Sequence, residues 1–373
     1  MNKSVVPEKG GFAIRKNVNN TQHAKSCLLK YIVGPFENPI TCHWHQNLWQ
    51  VPELARIIGE FGYNVDVVNY IVTEIAAEDH YYDLLLDIHP ANQQVYRNVL
   101  KEGCKKILYA TGAGFSWQDR QVRARIDELN ARRGVNMGYA AQNPVGEADI
   151  RNFDALFMFG NQFTRSTFGD LPIKQTFFIR NTGYPFLYPD NYLGKSPRHF
   201  LFFASWPQVL KGLDLLLEVF ARQPDIVLYV CSLFQNEPEF CSIYQKELFH
   251  TPNIMPIGFI NIESKLFRQI SRKCAYVILP SCSEASAGSI LTAMSAGMIP
   301  LVSRECGFND DEVIHLENCS ISCLGETIGE YAAKNISWVV RHSQQAVDMI
   351  RSKYTPFHFS ETVRQALQGC LSG

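Results

Sequence analysis

Short apolar runs alternate with longer amphipathic stretches along almost the whole chain, and this alternation restricts the fold more than any other feature. In the first half the runs are Cys27–Gly34, Tyr63–Tyr70, Asp83–Ile88, Lys106–Ala110, Ala155–Gly160 and Gln175–Ile179. Each is short, rich in β-branched or aromatic residues and apolar at consecutive positions, as expected of strands buried on both faces of a parallel sheet. Helical patterns lie between them at Val51–Phe61, Ala91–Lys101 and Gln118–Arg133. The second half repeats the scheme. Its strand candidates are His199–Ala204, Ile226–Cys231, Ile254–Gly258, Ala275–Pro280, Ile299–Val302 and Ser320–Leu324. Its helix candidates are Gly212–Arg222, Glu239–Phe249, Ser264–Lys273, Ser289–Ala296 and Tyr331–Arg341. Repeated strand–helix–strand units predict doubly wound α/β domains.

A chain of 373 residues fits two such domains of about 150–180 residues each. The stretch Asn181–Pro197 is rich in Gly, Pro, Asn and Tyr and reads as the linker. The expected division is an N-terminal extension over 1–25, a Rossmann-like domain over 26–190, a second one over 191–350 and a helical segment over 351–373. Ser360–Leu371 reads as a helix whose docking place the sequence does not give.

A net charge of −1 argues against a protein built mainly to grip nucleic acid. The 11 cysteines are scattered, and none has a C-x-x-C neighbour, so they read as reduced, mostly buried thiols. Residues 1–25 lack the apolar core of a secretory signal, and no run approaches the ~20 apolar residues of a membrane span. These features imply a cytoplasmic protein, in solution or at the inner face of a membrane.

Ligands of doubly wound domains bind beyond the carboxyl ends of the strands, so the loops after strand candidates hold the candidate site. The strongest is AYVILPSCSEASAGSILTAMSAGMIPLVS, residues 275–303. A buried strand runs into a loop with one carboxylate, Glu284, and the small residues Ser286, Ala287 and Gly288. A helix then begins near Ser289, a plausible N-cap. Small residues let backbone N–H groups approach a ligand, and a helix N-terminus attracts an anion such as phosphate. The bare pattern also suits an ordinary βα turn.

This segment resembles the donor-site signature of the retaining glycosyltransferases of family 4, the glycosyl transferases group 1. Pro280-Ser281, Glu284 and Ala293-Met294-Ser295-Ala296-Gly297 keep the pattern, and Pro300, Val302, Cys306-Gly307 and Asp310-Asp311-Glu312 continue it. Where the family has a second Glu, thought to bind the ribose hydroxyls, this chain has Thr292. Thr292 can offer one hydroxyl but no bidentate acceptor. Phe202–Asp214 is similar to the strand, loop and Lys-Gly helix start of the family's nucleotide domain. Lys211 fits the pyrophosphate ligand, while Ser205 and Trp206 stand where an Arg is common.

The resemblance extends to the first half. His89, after the strand Asp83–Ile88, aligns with a family histidine that faces the transferred sugar, and Asp87 aligns with its partner. The loop Ile40–Trp49 places His43, His45 and Asn47 at a strand end. A metal would need a third ligand that no spacing supplies, so sugar contact or simple packing is the reading for these residues. Tyr109–Trp117 is a strand followed by a Gly-rich cleft loop with Phe115 and Trp117, and it lacks the third Gly of a dinucleotide fingerprint. Arg165, after Ala155–Gly160, is either an anion contact or a surface residue. Helix Gln118–Arg133 carries five arginines diluted by Asp119, Asp127 and Glu128, which reads as a solvated face or, as in some family members, a membrane-binding one.

The resemblance implies the GT-B architecture, two Rossmann-like domains facing across a cleft. It implies transfer of a sugar, with retention of configuration, from a UDP- or GDP-linked donor to a glycan, lipid-linked or small-molecule acceptor, without metal or other cofactor. Lys211, the loop Ser286–Gly288 and Ser289 would meet the leaving diphosphate. Glu284 would hold the transferred sugar, with His89 on its other side. The departures at Thr292 and at the missing Arg keep open a non-catalytic descendant that binds sugar or nucleotide.

Overall fold

The structure, a computed structural model, describes residues 14–37, 45–72, 75, 81–90, 98–139, 145 and 147–372. The first domain runs β1 (Lys25–Tyr31), α1 (Gly34–Glu37), α2 (Asn47–Glu60), β2 (Tyr63–Asn69), β3 (Tyr82–Asp87), β4 (Leu100–Ala110), α3 (Phe115–Arg133), α4 (Glu147–Ile150), β5 (Ala155–Met158), α5 (Gln162–Ser166) and β6 (Gln175–Phe178). The second runs β7 (Ser196–Phe203), α6 (Gln208–Lys211), α7 (Leu213–Phe220), β8 (Val227–Cys231), α8 (Pro238–Ile243), α9 (Gln245–His250), β9 (Ile254–Pro256), α10 (Lys265–Lys273), β10 (Cys274–Leu279), α11 (Gly288–Ser295), β11 (Ile299–Val302), β12 (Ile314–His315), α12 (Ile321–Ala332), α13 (Ile336–Lys353) and α14 (Pro356–Leu371).

Each domain holds a sheet of six parallel strands, as the alternation predicts. The first has the order β2-β1-β3-β4-β5-β6 and the second β12-β11-β10-β7-β8-β9. Strand order reverses between β1 and β3 in one sheet and between β7 and β10 in the other. A crevice opens at the carboxyl end of a sheet where the order reverses, so the loops after these four strands define the candidate site. Both sheets bury consecutive residues: Cys274–Leu279, at the centre of the second, is buried throughout.

Several elements depart from expectation. Ser320–Leu324 is the start of helix α12, because the Ser320 hydroxyl accepts from the Cys323 N–H and caps it. The edge strand is Ile314–His315 instead. The single helix expected over Tyr331–Arg341 is two, since Asn335 caps a new one by accepting from the Trp338 N–H. Glu239–Phe249 splits at Tyr244, whose ring is buried and whose hydroxyl donates to Glu218 at 2.9 Å. Of the helix expected over Ala91–Lys101, residues 91–97 lie outside the described residues, and Leu100 and Lys101 open β4. His43 and residues 1–13 of the extension also lie outside them. Residues 14–21 run beside the edge strand β2, with Arg15 bonded to Val67 and Val18 to Val65. They cover an otherwise open sheet edge.

The chain passes between the domains twice. Residues 179–195 carry it from β6 to β7, and after α13 it returns so that α14 closes the first domain's core. Phe359, Val363, Ala366, Leu367 and Cys370 of α14 pack with α2 and the first sheet. The two crossings touch: the Gly183 N–H donates to the Tyr354 carbonyl at 2.8 Å, and the Arg180 guanidinium lies over the Tyr354 ring.

Candidate functional site

On the second domain, the loops after β7 and β10 are laced together. Cys282 N–H and the Ser281 hydroxyl both donate to the Leu210 carbonyl, at 2.9 and 3.0 Å. Gly212 packs so close to this loop that a Cβ there would sit 2.5 Å from the Pro280 oxygen, and its φ of 78° is itself a glycine conformation. This lacing brings the Lys211 ammonium and the Glu284 carboxylate into an ion pair, with side chains only 13% and 15% exposed. The Ser281 hydroxyl oxygen also lies 3.2 Å from the same carboxylate oxygen, sharing its one proton between the two acceptors. Two residues predicted 73 positions apart in sequence therefore meet at the reversal of strand order. Ser205 lies exposed at the rim beside the exposed Trp206.

Helix α11 starts at Gly288, one residue earlier than expected, and its N-cap is Ala287 rather than Ser289. No side chain caps it, so its first N–H groups and positive dipole end stay available to an anion. Ser286 stands just before, in the left-handed region at φ 48°, with its hydroxyl oxygen buried and without a partner among the described residues. Thr292 does not offer its hydroxyl to the cleft. It is 3% exposed, donates to the Gly288 carbonyl at 2.8 Å and accepts from Gln46 of the first domain at 3.1 Å.

On the first domain, β3 ends in Asp87, whose carboxylate accepts from the His89 N–H at 2.8 Å. Lys30 on β1, 1% exposed, lies 3.6 Å from the same carboxylate and donates to the His89 carbonyl at 2.7 Å. Burial lowers the Lys30 pKa and the Asp87 charge opposes the shift. The pair holds the His89 turn, and the imidazole stands edge-on between Tyr70 and Phe115, 6.2 and 6.1 Å between ring centres. Trp117 packs edge-on against Phe163 at 5.8 Å. At the start of α2, His45 accepts from the Asn47 N–H at 3.2 Å. His45 is exposed at the rim of the cleft, where partial desolvation lowers its pKa and the Lys211 charge adds to the shift, against the Asn47 bond. Asn47 keeps a buried Oδ1 without a partner among the described residues.

Arg165 turns its guanidinium back onto its own domain, donating to Thr176 at 3.1 Å and to the Gly169 carbonyl at 3.3 Å. The second half of α3, expected as a solvated basic face, instead packs its arginines against the second domain. Arg132 pairs with Asp214 at 2.7 Å, Arg133 with Glu247 at 2.8 Å, and Arg125 donates to the Pro280 carbonyl at 3.3 Å. These arginines form a seam between the domains. Burial raises the Asp214 pKa to about 6, with Arg125 and Arg132 opposing.

Sequence reasoning missed Lys30, Gln46, Gln50 and Asn181. Only Lys30 carries a signal, a lone charge inside the buried run Cys27–Tyr31. Among the described residues no three His, Cys, Asp or Glu side chains are grouped to hold a metal ion.

Overall shape places this arrangement among known ones. Sucrose-phosphate synthase from Thermosynechococcus elongatus superposes with a TM-score of 0.63 at 12% identity, over 93% of this chain and 99% of that one. The fold is GT-B. A second GT-B structure, Anabaena HepE in complex with UDP and glucose, gives 0.57 at 12% identity over 94% and 100% of the two chains. TarM gives 0.56 at 11% identity over 78% of this chain, which spans 55% of TarM's length. No protein-family model and no curated protein matches the sequence. No helix among the described residues is long and apolar enough to cross a membrane.

Proposed function

We propose that this GT-B protein is a glycosyltransferase that moves a sugar from a nucleoside-diphosphate donor, UDP- or GDP-linked, to a carbohydrate or lipid-linked acceptor with retention of configuration. The observation that carries this reading is the Lys211–Glu284 pair beside the uncapped start of α11, at the reversal of the second sheet. As the sugar leaves, negative charge grows on the diphosphate. Lys211 and the N–H groups of the loop Ser286–Ser289 are placed to offset it without reorganising. A bound diphosphate draws Lys211 away and frees the Glu284 carboxylate to accept from sugar hydroxyls. His89, framed by Tyr70 and Phe115, supplies the sugar-facing group of the first domain, and His45, Asn47 and Trp117 extend that wall.

The structure of HepE with UDP and glucose puts uridine donors first in a screen. A second reading, a non-catalytic binder of sugar or nucleotide, is favoured by one observation: the Thr292 hydroxyl is engaged by Gln46 instead of facing the cleft. A thermal-shift screen against UDP, GDP, ADP, CMP and their sugar conjugates, followed by assay of product, separates the two. A nucleotide-specific rise in Tm that disappears in Lys211→Ala, with turnover of the matching donor, is the expected result. A rise without turnover selects the binder, and no rise with any nucleotide or nucleotide sugar rejects the transferase.

A further inference from the structure

The loop before α11 is held from outside its own domain. Asn181, in the first crossing, donates its Nδ2 to the Ser286 carbonyl at 2.7 Å. Its amide cannot turn over, because its Oδ1 already accepts from Gln50 of α2 at 2.9 Å and from the Thr182 N–H at 2.8 Å. Gln50 also donates to the Thr182 hydroxyl at 3.0 Å. Beside them Gln46 donates to the Gly288 carbonyl at 2.8 Å, and a Cβ at Gly288 would lie 2.7 Å from the Gln46 Oε1. All five side chains of this network, Gln46, Gln50, Asn181, Thr182 and Thr292, are buried, and none carries a charge.

A trans peptide is planar, with its C=O and N–H pointing in opposite directions. Drawing the Ser286 oxygen toward Asn181 therefore aims the Ala287 N–H the other way. Ser286 is held at φ 48°, a conformation that a non-glycine residue adopts at a cost and keeps only when its surroundings enforce it. The Asn181 bond is the enforcing contact that comes from outside the loop. Gln46 fixes the next turn by packing on Gly288.

We infer that Asn181 is a positioning residue, anchored by Gln50 and backed by Gln46, that aims the Ala287 N–H at the diphosphate of the donor and makes this cradle depend on contact between the two domains. The inference rests on the function proposed above. The chain of command runs from α2 of the first domain, through the crossing, to the anion-binding loop of the second. Separation of the domains removes Gln50 and Gln46 and lets the Ser286–Ala287 peptide rotate. Donor binding and domain closure are then one event, reciprocal in energy.

The test compares wild type, Asn181→Leu, Gln50→Met and the double variant by calorimetric titration with UDP, GDP, inorganic pyrophosphate, uridine and guanosine. Asn181→Leu is expected to weaken the preferred diphosphate and pyrophosphate about tenfold, the size of one hydrogen bond to a charged group, and to leave the nucleoside within about twofold. Gln50→Met shows a smaller loss of the same kind, and the double variant is no worse than Asn181→Leu, because both act on one peptide. Gln50→Met alone carries the test if Asn181→Leu does not fold. Equal loss for nucleoside and diphosphate, wild-type affinity throughout, or additive losses overturns the inference and leaves the proposed function standing. A wild-type protein that binds neither nucleoside diphosphate nor pyrophosphate overturns the proposed function, and the inference falls with it.

Discussion

Each domain buries one lysine among the described residues, and the two are held in different ways. Lys30 sits at the carboxyl end of the first sheet, against the Asp87 carboxylate and the His89 carbonyl. Lys195 sits at the opposite end of the second sheet, just before β7, and among the described residues no carboxylate pairs with it. It donates to three carbonyls, of Ser271, Cys274 and Ala296, at 2.8, 3.0 and 3.4 Å. Burial moves both pKa values down. Asp87 limits the shift in Lys30, while Lys195 falls to about 7 with only a weak opposing influence from Cys274. A buried charge beside the cleft has a counter-charge that also orients a candidate sugar-facing loop. The one far from the cleft ties α10, β10 and the end of α11 together through backbone alone.

The sharpest way to break this comparison is Asp87→Ala, which strands a buried ammonium. Chemical denaturation is expected to show a loss of about 3–5 kcal/mol, and Asp87→Leu combined with Lys30→Met should recover most of it. Failure of the double variant to recover stability would mean that the pair is held for some reason other than its mutual charge. Lys195→Met should cost less, about 1–3 kcal/mol, because neutral carbonyls lose a donor but no charge is left uncompensated.

The smallest effect is a pH dependence. The folded-state pKa of Lys195, about 7, lies below its ordinary 10.5. Between those values the unfolded chain holds a proton that the folded chain gives up, so stability from this site rises with pH. The gap in stability between wild type and Lys195→Met should widen from pH 7 to pH 8, by at most about 1.4 kcal/mol. A constant gap over that range would show that Lys195 stays charged in the folded state as it does in the unfolded one.

Much of the second domain's site was legible because it is local in sequence. The strand Cys274–Leu279, the carboxylate Glu284, the small-residue loop and α11 follow one another within one βα unit, and Lys211 reaches them through a second loop with its own Lys-Gly mark. The first domain reads less well. His89 was visible as a strand-end residue, but Lys30, which supports it, lies 59 positions away and is joined to it only by the parallel pairing of β1 with β3. The hinge amides Gln46, Gln50 and Asn181 form no local pattern at all, since their partners are backbone and side-chain oxygens of distant segments. Thr292 looked like a weakened ligand, and only packing revealed that a first-domain glutamine occupies its hydroxyl. The misread strand at Ser320–Leu324 has a local cause: four apolar or small residues suit a strand until the serine before them is recognised as a cap.

The double passage of the chain between domains has a mechanical consequence. A single tether would let the two halves swivel freely about it and drift apart. Two tethers lying side by side, joined at Gly183 and Tyr354, suppress that swivel and leave bending about one line as the easy motion. An opening of the molecule would be jaw-like, hinged at the crossings. A nick in either crossing alone would leave the halves attached, because the other strand of chain still holds the jaw together.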